Sequence, residues 1–135
     1  MKSRSAKHKG RRFQATVRQM IVDRFPQLAD ADVQVVVRSE PGTDIRLSPL
    51  AREVFPYSVE CKNVERLNVW SALSQAQRNS KEGSTPLLVF GRNRTEPYVA
   101  LKLTEFLQLL TPNSSSRAAP GIGGAGAGAR VAPSP

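Results

Sequence analysis

Two short segments of this 135-residue chain, Thr43–Leu47 (TDIRL) and Tyr57–Lys62 (YSVECK), alternate apolar with polar or charged residues. Side chains alternate across a strand, so a period of two predicts a pair of half-buried β-strands. Ile45 and Leu47 share one face of the first, opposite Asp44 and Arg46. In the second, Val59 and Cys61 oppose Ser58, Glu60 and Lys62. If the two strands pair, Asp44 and Glu60 can meet beside Lys62.

The flanking sequence supplies helices. From Arg11 to Phe25 the residues Phe13, Val17, Met20, Ile21 and Phe25 recur at steps of three and four, the stripe of an amphipathic helix that Pro26 stops. Val33–Arg38 is β-branched and reads as a strand, and Pro41-Gly42 as a turn. Ser48-Pro49 breaks the chain before a brief helical or irregular stretch, Leu50–Phe55, closed by Pro56. Asn68–Asn79 reads as a helix with Val69, Ala72, Leu73 and Ala76 on one side, and Trp70 is expected to pack in the interior or beneath that helix. Pro86–Phe90 and Tyr98–Leu103 are further strands, separated by the basic turn Gly91-Arg92-Asn93-Arg94. Thr104–Leu110 closes the domain as a helix with Thr104 as N-cap. Strands interleaved with helices imply an α/β architecture, a mixed central β-sheet flanked by helices.

A hydrophobic content of 39% suits one core over residues 10–110. Residues 111–135 turn abruptly to Pro, Ser, Gly and Ala and are expected to be a disordered tail. Six Lys or Arg residues within positions 1–12, with His8 among them, predict a basic flexible arm over residues 1–9. The net charge of +9 favours a polyanionic partner, nucleic acid or an anionic membrane surface. No run of 18 apolar residues is present, which leads to the expectation of a soluble, unexported protein with no membrane partner. Cys61, the single cysteine, allows neither an intrachain disulfide nor a thiolate metal cluster.

Two converging carboxylates form an oxygen-only site suited to Mg²⁺, with Mn²⁺ as a substitute, and leave coordination positions for water and phosphate. Lys62 could then orient a water or offset charge on phosphate oxygens. On a solvated strand, Glu60 and Lys62 would instead be an ordinary exposed ion pair of well under ~1 kcal/mol.

An acidic residue opening one strand, followed by Glu-x-Lys on the next, resembles the PD-(D/E)XK nucleases, and within them the small phage-type, Holliday-junction-resolvase-like endonucleases. The likeness spans roughly Lys9 to Leu110 and rests on Asp44, Glu60 and Lys62. It implies a restriction-endonuclease-like single domain that hydrolyses DNA phosphodiesters, with branched or structured DNA as substrate. Asp44, Glu60, Lys62 and Gln75 would be catalytic. Asp44, Glu60 and the backbone carbonyl of Cys61 would be the metal ligands, with Gln14 as a further candidate. Lys7, Lys9, Arg11, Arg12, Arg92 and Arg94 are the expected DNA contacts. The resemblance further implies a homodimer and a place in the cytoplasm, that of the bacterial host if phage-encoded. The chain departs from the family pattern twice: no proline precedes Asp44, and KGRRFQ puts Gln14 where resolvase-like members often carry glutamate. The rival readings are a nucleic-acid-binding protein that keeps the fold without catalysis, and a basic virion or chromosome-associated factor.

Overall fold

The computed structural model describes residues 4–37 and 42–110. They divide into two compact units that part between Leu101 and Lys102. The first contains α1 (Arg4–Arg24), a 3₁₀ turn (Asp30–Asp32), β1 (Val33–Val35), β2 (Ile45–Leu47), α2 (Pro49–Val54), β3 (Tyr57–Asn63), α3 (Val69–Arg78), β4 (Thr85–Gly91) and β5 (Tyr98–Ala100). The second contains α4 (Leu103–Leu109). The expected α/β class is what the chain adopts.

α1 starts earlier than its apolar stripe. Residues 4–9, expected in a flexible arm, are its opening turns. Ala, Lys and Arg are good helix formers, and once Phe13–Ile21 is packed each added residue extends a helix already nucleated. Met20, expected on the stripe, is 51% exposed because it sits on the flank of the arc through Val17 and Ile21. Pro26 disfavours helical geometry at Phe25, and α1 ends at Arg24. α2 begins on a Ser48 cap whose hydroxyl accepts from the Ala51 amide at 3.1 Å, with Pro49 at the first helical position. α3 begins on Asn68, whose side-chain oxygen accepts from the Ser71 amide at 3.0 Å. In the second unit Thr104, expected as a cap, lies inside α4, and Lys102 precedes the helix without a side-chain bond. The expected arm residues 1–3, the residues Arg38 and Pro41, and the expected tail 111–135 lie outside the described residues.

The single central sheet expected from the sequence is instead two ladders. β1 and β2 pair antiparallel with Val33 opposite Leu47 and Val35 opposite Ile45. β3 and β4 pair parallel with Glu60 opposite Leu88, and β5 joins the far edge of β4 antiparallel. Asp44 links the ladders: its amide donates to the Val59 carbonyl at 3.0 Å, while its own carbonyl accepts from the Val36 amide at 3.0 Å.

One face of these strands is covered by α1. Val17 and Ile21 pack there with Leu28, Val33, Ile45, Leu47, Val59, Leu87 and Val89 in a single apolar cluster. The other face of β3 and β4 is covered by α3, which buries Ala72 and Ala76, as Leu88 is buried on β4. Trp70, expected in the interior, is 80% exposed. It lies about 200° around α3 from Ala72, on the side facing away from the sheet.

Candidate active site

β3 builds the centre of the site. Its period of two sends Val59 into the α1 core and Glu60 and Lys62 to the α3 side, as the alternation predicts. That second face is not solvent. Glu60 is 3% exposed, and Ser58 beside it is buried against Ser84, with a hydroxyl–hydroxyl bond of 2.9 Å. The ordinary exposed ion pair therefore does not describe Glu60 and Lys62.

Asp44 reaches the same place from the second ladder. Its Oδ2 accepts from the backbone N–H of Cys61 at 2.7 Å. Lys62 Nζ lies 3.7 Å from Glu60 Oε2 and donates to Gln75 Oε1 at 2.8 Å. Gln75 thus orients the lysine. Asn79 Nδ2 donates to Glu60 Oε1 at 3.3 Å. Gln75 and Asn79 are four residues apart, one turn of helix, and so face the strand together.

Burial, reinforced by the neighbouring Asp44 carboxylate, pushes the Glu60 carboxyl above its usual range; the Asn79 amide and Lys62 pull it part of the way back. The Cys61 thiol packs against the apolar core, and burial together with the two carboxylates pushes its pKa far up. It is no nucleophile.

Asp44, Glu60, Cys61, Lys62, Gln75 and Asn79 line one open cleft of about 870 Å³. The first turns of α1 close its other side with Lys7, Lys9, Arg11 and Gln14. Gln14 thus stands at the site, as do three of the expected DNA contacts. Arg12, Arg92 and Arg94 do not line the cleft and are exposed. Arg92 and Arg94 sit on the turn between β4 and β5, where Arg94 has a left-handed φ of 60° and the Asn93 amide is held by Glu65 at 2.8 Å.

Among the described residues no group of three or more His, Cys, Asp or Glu side chains converges on one point. Two carboxylates nonetheless suit Mg²⁺, which keeps several waters and is commonly held by one or two carboxylates together with substrate phosphate. A dication would favour the ionised form of Glu60, which burial first and the Asp44 carboxylate second disfavour.

Asn79 is the residue that sequence reasoning missed, because it reads as the end of a helix. It is indeed the C-cap of α3. The signal was its spacing: an amide four residues after Gln75 must share its face. Comparison with family models, with curated proteins and with solved structures finds no match to this chain.

Proposed function

We propose that the chain is a Mg²⁺-dependent endonuclease that hydrolyses DNA phosphodiester bonds. The observation that carries this reading is the convergence of Asp44 and buried Glu60 with Lys62 in one cleft whose opposite wall bears Lys7, Lys9 and Arg11. The element order, a helix, three strands, a second long helix and a strand parallel to the third, supports a restriction-endonuclease-like fold. An acidic residue just before β2 and Glu-x-Lys on β3 support the PD-(D/E)XK reading. Branched or structured DNA as substrate and a phage-type role in the bacterial cytoplasm rest on that resemblance. Symmetric resolution of a four-way junction needs two sites, hence a homodimer. Among the described residues no helix is long and apolar enough to cross a membrane.

In the hydrolysis a water oxygen bonds to phosphorus and gives up a proton to solvent, one bridging P–O bond breaks and its oxygen takes up a proton from solvent to leave as a sugar hydroxyl, and charge grows on the phosphorane oxygens meanwhile. Asp44, Glu60 and the Cys61 carbonyl would hold Mg²⁺, or Mn²⁺ in its place. When bound there the ion supplies Lewis acidity toward phosphate and a lowered water pKa. Lys62 offsets the growing charge, and Gln75 fixes its ammonium so that no reorganisation is needed during reaction. Asn79 holds one oxygen of Glu60 in place.

Nicking of supercoiled plasmid in Mg²⁺ against EDTA tests the proposal, with Glu60→Gln as the inactive control. The second reading, a nucleic-acid-binding protein without catalysis, is favoured by Gln14, a neutral amide on the cleft wall. Binding without cleavage in either Mg²⁺ or Mn²⁺, on plasmid and on junction DNA, selects it.

A further inference from the structure

We infer that the opening turns of α1 form a rail for a nucleic-acid phosphate backbone, running along the helix into the cleft; this rests on the nucleic-acid reading above but not on cleavage. Arg4, Lys7, His8 and Arg11 border a concavity of about 320 Å³ on the surface of α1. Their spacing of three and four residues places them on one stripe of the helix. Lys7 and Arg11 also line the main cleft, so the stripe and the site are continuous. Arg12, one residue beyond Arg11 and about 100° around the helix, borders neither cavity.

Among the described residues nothing neutralises the charge on this stripe. Arg18, further along α1, pairs with Asp30 at 3.1 Å, but among the described residues no carboxylate pairs with Arg4, Lys7 or Arg11. No acidic residue occupies the first turn of α1. Cations crowd one stripe there and oppose the positive end of the helix dipole. A polyanion relieves both repulsions. From Arg4 to Arg11 the axial length is about 10.5 Å, and three cations of the stripe stand along it. The rail therefore offers one cation to each of about three phosphates, in a line that leads toward the carboxylates.

Salt dependence of binding tests the rail. Anisotropy of a short blunt DNA duplex is titrated in EDTA with wild type, Arg11→Ala, Arg12→Ala and the triple variant Arg4→Ala/Lys7→Ala/Arg11→Ala. Alanine is the best helix former and all the positions are helical, so the fold should be kept; circular dichroism checks this. Each lost phosphate contact lowers the log–log slope by about 0.9, so between about 50 and 200 mM salt Arg11→Ala should lose about 3.5-fold less affinity than wild type. The triple variant should lose about 40-fold less. Arg12→Ala removes the same charge one residue away and should keep the wild-type slope. An Arg12→Ala slope as flat as that of Arg11→Ala overturns the rail, since the attraction is then diffuse. An unchanged slope in the triple variant, with plasmid cleavage intact, also overturns it and leaves the nuclease reading standing. The expected slopes with no cleavage in Mg²⁺ support the rail while the nuclease reading fails. Binding to phosphatidylserine vesicles but not to DNA overturns it.

Discussion

Asp44→Ala should weaken the fold as well as the chemistry, because this carboxylate takes the place of a backbone acceptor. Its own amide and carbonyl are bonded to Val59 and Val36, and its Oδ2 holds the Cys61 amide at 2.7 Å. Alanine leaves that N–H without its charged acceptor in a half-buried strand. Hydrogen bonds to charged groups contribute about 1.5–3 kcal/mol, and a buried donor left unsatisfied costs about 1–3 kcal/mol. An opposing effect acts in the wild type: Asp44 and Glu60 repel, as the raised Glu60 carboxyl attests, and alanine relieves that repulsion. Glu60→Gln removes the repulsion beforehand. In that background Asp44→Ala should therefore cost about 1.5–3 kcal/mol by urea denaturation, and less in the wild-type background. For a domain of this size each kcal/mol lowers Tm by about 4–8 °C. A cost below about 0.5 kcal/mol in the Glu60→Gln background, the level of an ordinary surface substitution, would refute the structural role of the carboxylate.

Glu60→Gln should abolish cleavage. Because burial and Asp44 raise the folded carboxyl above 4.5, the wild type loses stability as pH rises from there through the folded value; the glutamine variant should be the more stable at neutral pH, with the advantage fading in acid, as urea melts at several pH values can read. Gln14→Glu should lower the Mg²⁺ concentration for half-maximal nicking by adding a charged oxygen at the cleft; superimposable titrations would remove residue 14 from the site. At Gly91→Ala the new Cβ would stand 3.0 Å from the Phe13 ring, so the ring must give by a few tenths of an ångström against the core, at a cost of about 1–3 kcal/mol; a thermal melt unchanged from wild type would show that it moves freely.

Local pattern carried most of what was legible in the sequence. The alternation in Thr43–Leu47 and Tyr57–Lys62 correctly separated Ile45, Leu47 and Val59, which are buried in the α1 core, from Asp44, Glu60 and Lys62, which line the cleft. That a helix covers the polar face of β3 was legible only through the resemblance, which set Gln75 beside Glu60; by pattern alone Ser58 and Glu60 read like solvent-facing residues, and their burial depends on a helix in a different part of the chain. Trp70 failed for a related reason. Its bulk suggested the interior, yet the face of α3 that meets the sheet is set by the small residues Ala72 and Ala76. The start of α1 at Arg4 was hidden because the first turns carry no apolar stripe, only favourable propensity. The meeting of two separate ladders at Asp44 rests on its backbone bonds to Val59 and Val36 and on its side-chain bond to Cys61, long-range pairings to which periodicity is blind.

The charge balance of the cleft floor argues for an order of binding. Two carboxylates stand there against one lysine, and the residues that α3 contributes, Gln75 and Asn79, are neutral amides that orient without compensating. The floor is thus net negative with both carboxyls ionised, and it repels phosphate even while Lys7, Lys9 and Arg11 on the opposite wall attract it. A bound dication reverses the sign of the floor, so phosphate should settle against it only once the metal is present. In EDTA, Asp44→Asn and Glu60→Gln should bind DNA more tightly than wild type, since each removes one repelling charge. In Mg²⁺ the order should invert: wild type gains affinity, whereas the variants, lacking a ligand, gain little. Fluorescence anisotropy in the cold, read before product accumulates, compares the proteins under both conditions. If wild type and variants respond equally to Mg²⁺, the ion acts on the DNA or elsewhere on the protein, and Asp44 and Glu60 are not its ligands.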